Sequence, residues 1–424
     1  MTNLAALRAL LGLSTVLLTL PAACASEAPV GTTRETPSAS VAAIEPAHAH
    51  TEQGCGDHET EEAPGVRAAA ARRVEWRHRH HKPERTVELK VLGFNDFHGQ
   101  LSQGRSVSGR PAGGAAVLAA YLRAAARGFE TRSLIIHAGD HVGASPPASA
   151  LLQDEPSIGF LNLLGNEHCS YRHREHVRCN LVGTLGNHEF DDGRDEMLRL
   201  IHGGNHANGP FLEGRYRGAR FPYVSANVVE AESERPILPA YVVKNLAGVK
   251  VGVIGAVLKE TPTIVTPTGV AGLSFLDEAT AINRYVDKLR RQGVRTIIVS
   301  IHQGGPQTSY AGPTQPGGAV TGVINDIVRN LDDEVDLVVS GHAHSFTNVL
   351  LPNQNGTPIL VTQAFSASTA YADIALSVDR RSGDVTAKSA EIVTTYSDVA
   401  PGNAPAEDVA ELVARAEALT APLV

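Results

Sequence analysis

The chain has 424 residues, which is enough for one large α/β domain or for two domains of average size. Its formal net charge is −8 at pH 7, from 37 lysine and arginine residues against 45 aspartate and glutamate residues. An acidic balance without a long basic stretch argues against a nucleic-acid polymer as a partner.

The first 25 residues have the order of an export signal. Arg8 is followed by an apolar run and then by small residues around Cys24. The run is shorter than the roughly 20 residues that a membrane-spanning helix needs. Two cleavage sites fit: Ala23-Cys24-Ala25 for an ordinary signal peptidase, and residues 20–24 for a bacterial lipobox, which would place a lipid on Cys24. We therefore expect an exported protein, either periplasmic, secreted or attached to a membrane through that lipid.

Residues 26–85 lack hydrophobic periodicity and are rich in Ala, Pro, Glu, Arg and His. Such a composition buries too little apolar surface to offset the entropy of ordering the chain. A disordered, His-rich tether is therefore predicted. Two histidine clusters, at residues 48–58 and 78–81, leave metal scavenging as an alternative, although composition favours a solvated linker.

From Thr86 onward, short apolar strands alternate with helices. Strands are predicted at residues 87–92, 133–137, 181–185, 250–254, 296–301 and 336–340, and helices at residues 115–127 and 277–292. This alternation predicts βαβ units and an α/β fold with largely parallel strands. Two later apolar segments, residues 359–361 and 374–378, are predicted to be antiparallel strands that close a second sheet.

Side chains of the types that bind metals stand just after several of these strands. They are Asp96, His98, Asp140, Asn187, His188, His302, His342 and His344. Sites in open α/β sheets form outside the carboxyl ends of strands, and residues two apart in an extended chain point the same way. The two pairs, Asp96 with His98 and His342 with His344, together with Asp140, Asn187 and His302, supply seven donors, which fit two adjacent divalent ions that share one carboxylate. Imidazole, carboxylate and amide donors favour Zn, Mn, Fe or Co over Ca or Mg.

Five motifs follow one another in a fixed order. They are Asn-Asp-Phe-His-Gly from Asn95, Gly139-Asp140, Gly-Asn-His-Glu-Phe-Asp from Gly186, Ile-His-Gln-Gly from Ile301, and Ser-Gly-His-Ala-His from Ser340. This set resembles the calcineurin-like metallophosphoesterases, and more narrowly their exported bacterial 5′-nucleotidase/UDP-sugar hydrolase branch, over about residues 88–395. The resemblance implies a four-layer α-β-β-α sandwich of two mixed sheets flanked by helices, which residues 86–397 would form.

The resemblance also implies a role for each site residue. One metal ion would be bound by Asp96, His98, Asp140 and His344, and the other by Asp140, Asn187, His302 and His342. Asn187 and His188 would contact the substrate. His188, held by Asp191, would not bind metal but would stabilise or protonate the departing oxygen. Some relatives have Gln in place of His344, which leaves the preferred metal open.

Residues 398–424 are expected to form a C-terminal helix and tail, with a helix at 407–419 that carries Val409, Leu412 and Val413 on one face. The two-domain nucleotidases continue into a domain that binds the nucleotide, and we expect that domain to be absent here. The predicted substrate is a small phosphoester, with a 5′-nucleotide ahead of a broader range of phosphomonoesters and phosphodiesters. A surface lipoprotein that binds metal without catalysis is the remaining alternative.

Residues 168–179 form a polar segment with two cysteines ten residues apart, Cys169 and Cys179. Export makes a disulfide between them the expected pairing. Arg172 and Arg174 lie between them, and guanidinium groups bind phosphate oxygens in pairs. One hypothesis is that these arginines bind the substrate phosphate, and the alternative is a solvated, disulfide-bonded surface loop.

Overall fold

The computed structural model describes residues 85–423, apart from residues 210, 309–312, 317–318, 400 and 402–403. The predicted export signal, the lipid site at Cys24 and nearly all of the predicted tether lie outside these residues. Within the described ranges, no helix combines the length and the apolar character that crossing a membrane requires.

Strands and helices alternate along the described chain. The strands are β1 (Thr86–Phe94), β2 (Arg105–Val107), β3 (Arg110–Ala112), β4 (Ser133–Ala138), β5 (Leu181–Thr184), β6 (Tyr223–Val224), β7 (Val228–Glu230), β8 (Tyr241–Leu246), β9 (Val249–Val257), β10 (Leu273–Phe275), β11 (Thr296–His302), β12 (Gln315–Pro316), β13 (Leu337–Ser340), β14 (Phe346–Pro352), β15 (Pro358–Ala364), β16 (Ala370–Asp379) and β17 (Val385–Thr394). The α-helices are α1 (Ala115–Ala126), α2 (Pro147–Ala150), α3 (Glu155–Leu164), α4 (Arg194–His202), α5 (Thr261–Ile264), α6 (Glu278–Arg291), α7 (Ile324–Arg329) and α8 (Glu407–Thr420).

The strands form two large mixed sheets. The first has the order β17-β16-β1-β4-β5-β6, in which β1, β4, β5 and β6 are parallel and β16 is antiparallel to both of its neighbours. The second has the order β12-β14-β15-β13-β11-β9-β8, with β15, β13, β11 and β9 parallel. Two small hairpin-like sheets, β2-β3 and β7-β10, complete the strand pairing that the structure describes.

Alternation of side chains along each strand produces three apolar layers. Val91 of β1 and Val253 of β9 belong to the core between the two sheets. Their chain neighbours point outward: Leu92 packs into the layer that includes α1 and α3, and Ile254 into the layer that includes α6 and α7. Helices therefore cover the outer face of each sheet. The predicted four-layer α-β-β-α sandwich is confirmed.

The predicted strands and helices are confirmed, with boundaries that differ by a few residues at each end. The assignment of residues 374–378 to the second sheet is wrong. This segment belongs to β16, which pairs with β1 in the first sheet, whereas β15 pairs with β13 and β14 in the second. Alternating burial indicates that a segment is a strand, but the choice of sheet depends on long-range pairing that the local pattern does not contain.

The C-terminal helix α8 packs on the helices that cover the first sheet. Val409 is fully buried there, and Leu412 and Val413 pack against the same apolar layer. Burying a side chain of valine size stabilises a fold by about 1.5–3 kcal/mol. Arg123 of α1 also donates two hydrogen bonds of 2.7 Å to the carboxylate of Asp408. The predicted apolar face of this helix is therefore the face that docks.

Candidate metal centre

The predicted metal ligands stand at one edge of the sandwich, where parallel strands of both sheets end. In the first sheet, Asp96 and His98 follow β1, Asp140 follows β4 and Asn187 follows β5. In the second sheet, β11 ends at His302, and the segment after β13 carries His342 and His344. Because the carboxyl ends of these strands lie at the same edge, the loops that follow them converge.

Six of the seven predicted ligands are in mutual contact. Nε2 of His302 lies 3.0 Å from Oδ2 of Asp140, and Nε2 of His344 lies 3.0 Å from Oδ1 of Asp96. Nε2 of His98 is between them, 3.9 Å from Oδ1 of Asp96 and 3.8 Å from Oδ2 of Asp140. The donor atoms form two triads, each with all atoms within 4.8 Å of one another. They are Asp96, His98 and His344, and Asp140, His302 and His342, and a further group of three joins His98 and Asp140 to His188.

Hydrogen bonds set the orientation of two imidazoles in this cluster. Nδ1 of His98 lies 3.0 Å from the carbonyl oxygen of Gly143, and Nδ1 of His302 lies 2.8 Å from that of Ala138. A ring nitrogen facing a carbonyl carries a proton, so in the neutral form of each ring Nε2 presents a lone pair to the cluster. This is the second-shell arrangement that metal-binding histidines usually have.

The two central carboxylates are oriented in the same way. Oδ2 of Asp96 accepts hydrogen bonds from the side-chain amide of Asn95 (2.6 Å) and the backbone N–H of His342 (2.9 Å). Oδ1 of Asp140 accepts one from the backbone N–H of His188 (2.9 Å). Each carboxylate is thereby fixed by one oxygen and directs the other toward the histidines.

Two further features of the cluster fit a bound cation. The buried side-chain oxygen of Asn187 finds no hydrogen-bond partner among the residues that the structure describes. Nε2 of His302 is also buried without a hydrogen-bond partner among the described residues, although it lies 3.0 Å from Oδ2 of Asp140. Buried acceptors without a donor are costly, and a cation would satisfy all of these atoms together. The donor set therefore fits the metal ions that the sequence predicts.

Backbone strain is concentrated at the same positions. Five predicted ligands have positive φ angles: Asp96 (50°), His98 (47°), Asp140 (52°), His342 (70°) and His344 (49°). The left-handed region costs a residue with a side chain on the order of 1–3 kcal/mol, and such strain clusters at functional sites. The loops thus hold these side chains in conformations that the chain would not adopt by itself.

The electrostatics of the cluster favour positive charge. Burial alone would lower the pKa of His302, but the carboxylates of Asp140 and Asp96 outweigh it and raise that pKa to about 10. A site that retains a proton so firmly attracts a cation, and a divalent ion would replace that proton.

His188 and Asp191 lie at the open side of the cluster. Nδ1 of His188 is 2.6 Å from Oδ2 of Asp191, and about a third of each side chain is exposed. The hydrogen bond to Asp191 raises the pKa of His188 to about 9, against the effect of partial burial. The His188 ring also lies edge to face with that of His98, 5.1 Å between centroids. A protonated imidazole therefore stands beside the metal-binding groups.

The disulfide-bonded loop lies elsewhere. Cys169 and Cys179 are joined by a disulfide, and the loop that they close enters β5 at its amino end. The predicted site residues Asn187 and His188 follow the carboxyl end of β5, which places them on the order of 13 Å from the loop at about 3.3 Å per residue. The structure thus separates Arg172 and Arg174 from the cluster.

Arg174 also has other partners. Its Nε donates to the carbonyl oxygen of Ala219 (2.6 Å) and its Nη2 to that of His202 (3.1 Å). A guanidinium held by backbone carbonyls supports the local fold. The contacts of Arg174 fit the alternative of a structural loop, and binding of the substrate phosphate by Arg172 and Arg174 stays a prediction. The sequence already shows that this loop precedes β5 and therefore lies at the amino end of that strand.

Sequence reasoning missed two residues that support the site. Asn95 fixes the orientation of Asp96, and the carboxylate of Glu189 accepts backbone hydrogen bonds from Asp140 and His141. Both belong to the motifs quoted above. Their position beside predicted ligands was the available signal, but side chains that orient neighbouring groups in a loop follow no periodic pattern.

Comparisons with known proteins bear on this site. Residues 89–346, more than half of the chain, match the family described as Calcineurin-like phosphoesterase. The chain is 35% identical over 333 residues to the Bacillus subtilis (strain 168) protein named Endonuclease YhcR, covering 77% of this chain and 25% of that protein. It is 36% identical over 338 residues to Cell wall protein Lmo0130 of Listeria monocytogenes, covering 74% of this chain and 40% of that protein.

The fold has a counterpart among solved structures. A 5′-nucleotidase precursor from Thermus thermophilus superposes with a TM-score of 0.59 and 24% identity, covering 80% of this chain and 60% of that chain. At this identity the likeness concerns the fold alone. The chain spans only a quarter to two fifths of the two curated relatives, so their full activities do not transfer to it directly.

Proposed function

Since this chain belongs to the calcineurin-like phosphoesterase family and is a phosphoric ester hydrolase by that membership, we propose that it is exported, uses two divalent metal ions, and hydrolyses small phosphoesters, 5′-nucleotides first among them. The observation that carries this proposal is the convergence of carboxylate, imidazole and amide donors beside the His188–Asp191 pair.

The donors divide between two sites that share Asp140. Asp96, His98 and His344 would complete one site, and Asn187, His302 and His342 the other. This division follows the two triads and the unpartnered oxygen of Asn187 among the described residues. The mixed nitrogen and oxygen donors favour Zn, Mn, Fe or Co. When bound, the two ions would activate a water molecule and neutralise charge on the phosphoryl oxygens.

His188 would act on the leaving group. Its imidazole is partly exposed and is fixed by Asp191, whose hydrogen bond raises the pKa of His188, so it is placed to donate a proton to the departing oxygen. General acid catalysis of this kind contributes about 10²–10⁴-fold to a rate. The donor atoms of His188, His98 and Asp140 also lie within 4.8 Å of one another. Metal analysis of His188→Ala, which should keep both ions, distinguishes proton donation by His188 from metal binding.

Export is supported by the first 25 residues and by the relative named a cell wall protein. We propose that residues 86–397 form the catalytic domain and that the chain acts outside the cytoplasm, either free or attached through a lipid on Cys24. Mass spectrometry of the mature N-terminus distinguishes these two forms, because a lipid adds a defined mass to an N-terminal cysteine.

One relative favours a second candidate function, hydrolysis of phosphodiester bonds in nucleic acids. It is named an endonuclease and is 35% identical over 77% of this chain. The match covers only a quarter of that protein, and the net charge of −8 weakens attraction to a polyanion. Small phosphoesters therefore remain the primary proposal.

The deciding experiment uses the full chain, first treated with a chelator and then supplied with Mn²⁺ or Zn²⁺. The substrates are p-nitrophenyl phosphate, AMP, UDP-glucose, a cyclic nucleotide and single-stranded DNA. We expect metal-dependent hydrolysis with the highest kcat/KM for a 5′-nucleotide. Faster cleavage of DNA would support the second candidate instead. No hydrolysis of any substrate with any metal would refute both.

A further inference from the structure

Glu189 is a buried carboxylate that joins two loops of the metal centre. Its side chain is 2% exposed. Oε2 accepts a hydrogen bond from the backbone N–H of Asp140 (3.0 Å) and another from that of Gly186, while Oε1 accepts one from the N–H of His141 (2.9 Å). Two of these donors belong to the loop after β4 and one to the loop after β5. One side chain therefore connects the backbones of both loops.

A second layer of buried polar groups holds this carboxylate. Nδ1 of His141 lies 2.9 Å from Oε1 of Glu189, an ion-pair distance without the alignment of a hydrogen bond. The hydroxyl of Tyr223, in β6, hydrogen-bonds to Nε2 of His141. Both residues are at most 2% exposed. The tautomer that suits both contacts carries its proton on Nδ1, facing the carboxylate.

The loops that Glu189 joins are closely packed and strained. A Cβ atom on Gly186 would lie 2.1 Å from Oδ1 of Asp140, so only glycine allows this approach. Asp140 itself has a φ of 52°. Besides Glu189, the hydrogen bond from the backbone N–H of His188 to Asp140 also ties these loops. An unsupported strained loop would relax, and a metal site tolerates little displacement of its ligands.

We infer that Glu189 is a positioning residue that sets the spacing between Asp140 and Asn187, the two side chains that would bind one metal ion from different loops. His141 and Tyr223 hold its carboxylate in place. This inference rests on the metal centre of the proposed function, and it assigns Glu189 no contact with substrate or metal.

Glutamine is the informative replacement because it keeps the shape of the side chain. It retains one acceptor oxygen but turns an NH₂ group toward backbone N–H donors, so at least one of the three hydrogen bonds is lost. Loss of a second-shell partner typically weakens metal affinity about 10–100-fold. Tyr223→Phe removes only the hydroxyl behind His141, and we expect a smaller loss in the same direction.

The matched control is Glu155→Gln. Glu155 is buried to the same degree, with a side chain 1% exposed, and accepts a hydrogen bond from Nη1 of Arg199 (2.8 Å). It has no hydrogen bond to the loops after β4 and β5 among the contacts that the described residues make. The control thus loses a buried charge without loosening the metal centre.

The experiment titrates Mn²⁺ and Zn²⁺ into metal-free full-length protein by calorimetry and follows AMP hydrolysis at each metal concentration. For Glu189→Gln we expect two ions, one bound about 10–100-fold more weakly, and activity that recovers with excess metal. Glu155→Gln should bind both ions as the wild type does. If Glu189→Gln does not fold, Tyr223→Phe provides the same measurement.

The outcomes separate the inference from the function on which it rests. A wild type that binds no metal refutes the proposed function. A wild type that binds two ions, with unchanged affinity in Glu189→Gln and Tyr223→Phe, overturns the positioning role. Equal weakening in Glu155→Gln also overturns it, because the effect would then come from general loss of stability.

Discussion

The two ends of β5 carry similar residues but have different roles. The loop before β5 contains arginines, histidines and a disulfide, and its groups bind backbone carbonyls. The loop after β5 contains Asn187 and His188, and His188 meets His98 from the loop after β1 and Asp140 from the loop after β4. In a parallel sheet the carboxyl edge gathers the following loops, whereas a loop at the amino edge has no such partners. The position of a residue relative to its strand therefore matters more than its type.

The largest expected effect is the loss of the shared ligand at the carboxyl end. Asp140→Ala removes a carboxylate that would serve both ions. We expect occupancy of both sites to fall and kcat/KM to drop by about 10⁴-fold, or about 5 kcal/mol. Metal analysis by mass spectrometry, together with AMP hydrolysis, measures this. Retention of two tightly bound ions would show that Asp140 does not bridge them.

His188→Ala changes a residue at the same carboxyl edge of the sheet without removing a proposed metal ligand. We expect both ions to remain and kcat to fall about 10²–10³-fold, because the proton donor is lost. Asp191→Asn is the matched variant and should have a smaller effect, since it leaves the imidazole in place but unfixed. A missing ion in His188→Ala would mean that this histidine binds metal, as its distance from His98 and Asp140 allows.

At the amino end, loss of the disulfide should affect stability and not catalysis. Cys169→Ser with Cys179→Ser opens a short loop, which lowers the free energy of unfolding by about 2–3 kcal/mol on the chain-entropy model. We expect KM for AMP to stay the same in this variant and in Arg172→Ala. Thermal unfolding and steady-state kinetics are the two measurements. A raised KM in Arg172→Ala would support the phosphate-binding hypothesis instead.

The smallest expected effect concerns Lys244, which lies beneath this loop. Its Nζ donates to the carbonyl oxygen of His176 (3.1 Å), and burial lowers the pKa of Lys244 to about 7. Between that value and its ordinary pKa the unfolded chain binds the proton and the native chain does not. The free energy of unfolding should therefore rise with pH across this window.

Lys244→Met tests how the buried amine affects the free energy of unfolding. We expect the variant to be about 1–2 kcal/mol more stable at neutral pH, and its stability to change less between pH 7 and pH 10, because it carries no buried amine. Denaturant unfolding at several pH values measures both quantities. The exposed Lys250→Met is a suitable control. An unchanged pH dependence in Lys244→Met would show that the amine is hydrated in the native state.

The sequence allowed most of the metal centre to be predicted, because its ligands follow apolar strands and occur in short motifs. Asp96 and His98 are an example, since β1 is recognisable from its alternating pattern and the pair stands directly after it. The sheet that β16 joins was not predictable in this way, because strand pairing is decided between distant segments. Glu189 was missed for a related reason. Its hydrogen-bond donors are backbone N–H groups, which nearly every residue has, so no residue type marks them, and its ion-pair partner His141 lies in a distant loop.

The ligands of each proposed ion come from both sheets. Asp96 and His98 extend from the first sheet and His344 from the second, and the other site combines Asp140 with His302 in the same way. Bound ions would therefore act as cross-links between the two halves of the sandwich, in addition to the apolar packing and the hydrogen bonds, such as that between Nδ1 of His302 and the carbonyl oxygen of Ala138, that join them. A ligand at 100 times its dissociation constant stabilises the native state by about 2.7 kcal/mol. With the export that we propose, the supply of metal in the surroundings would then set how long the chain resists proteases, as well as whether it is active.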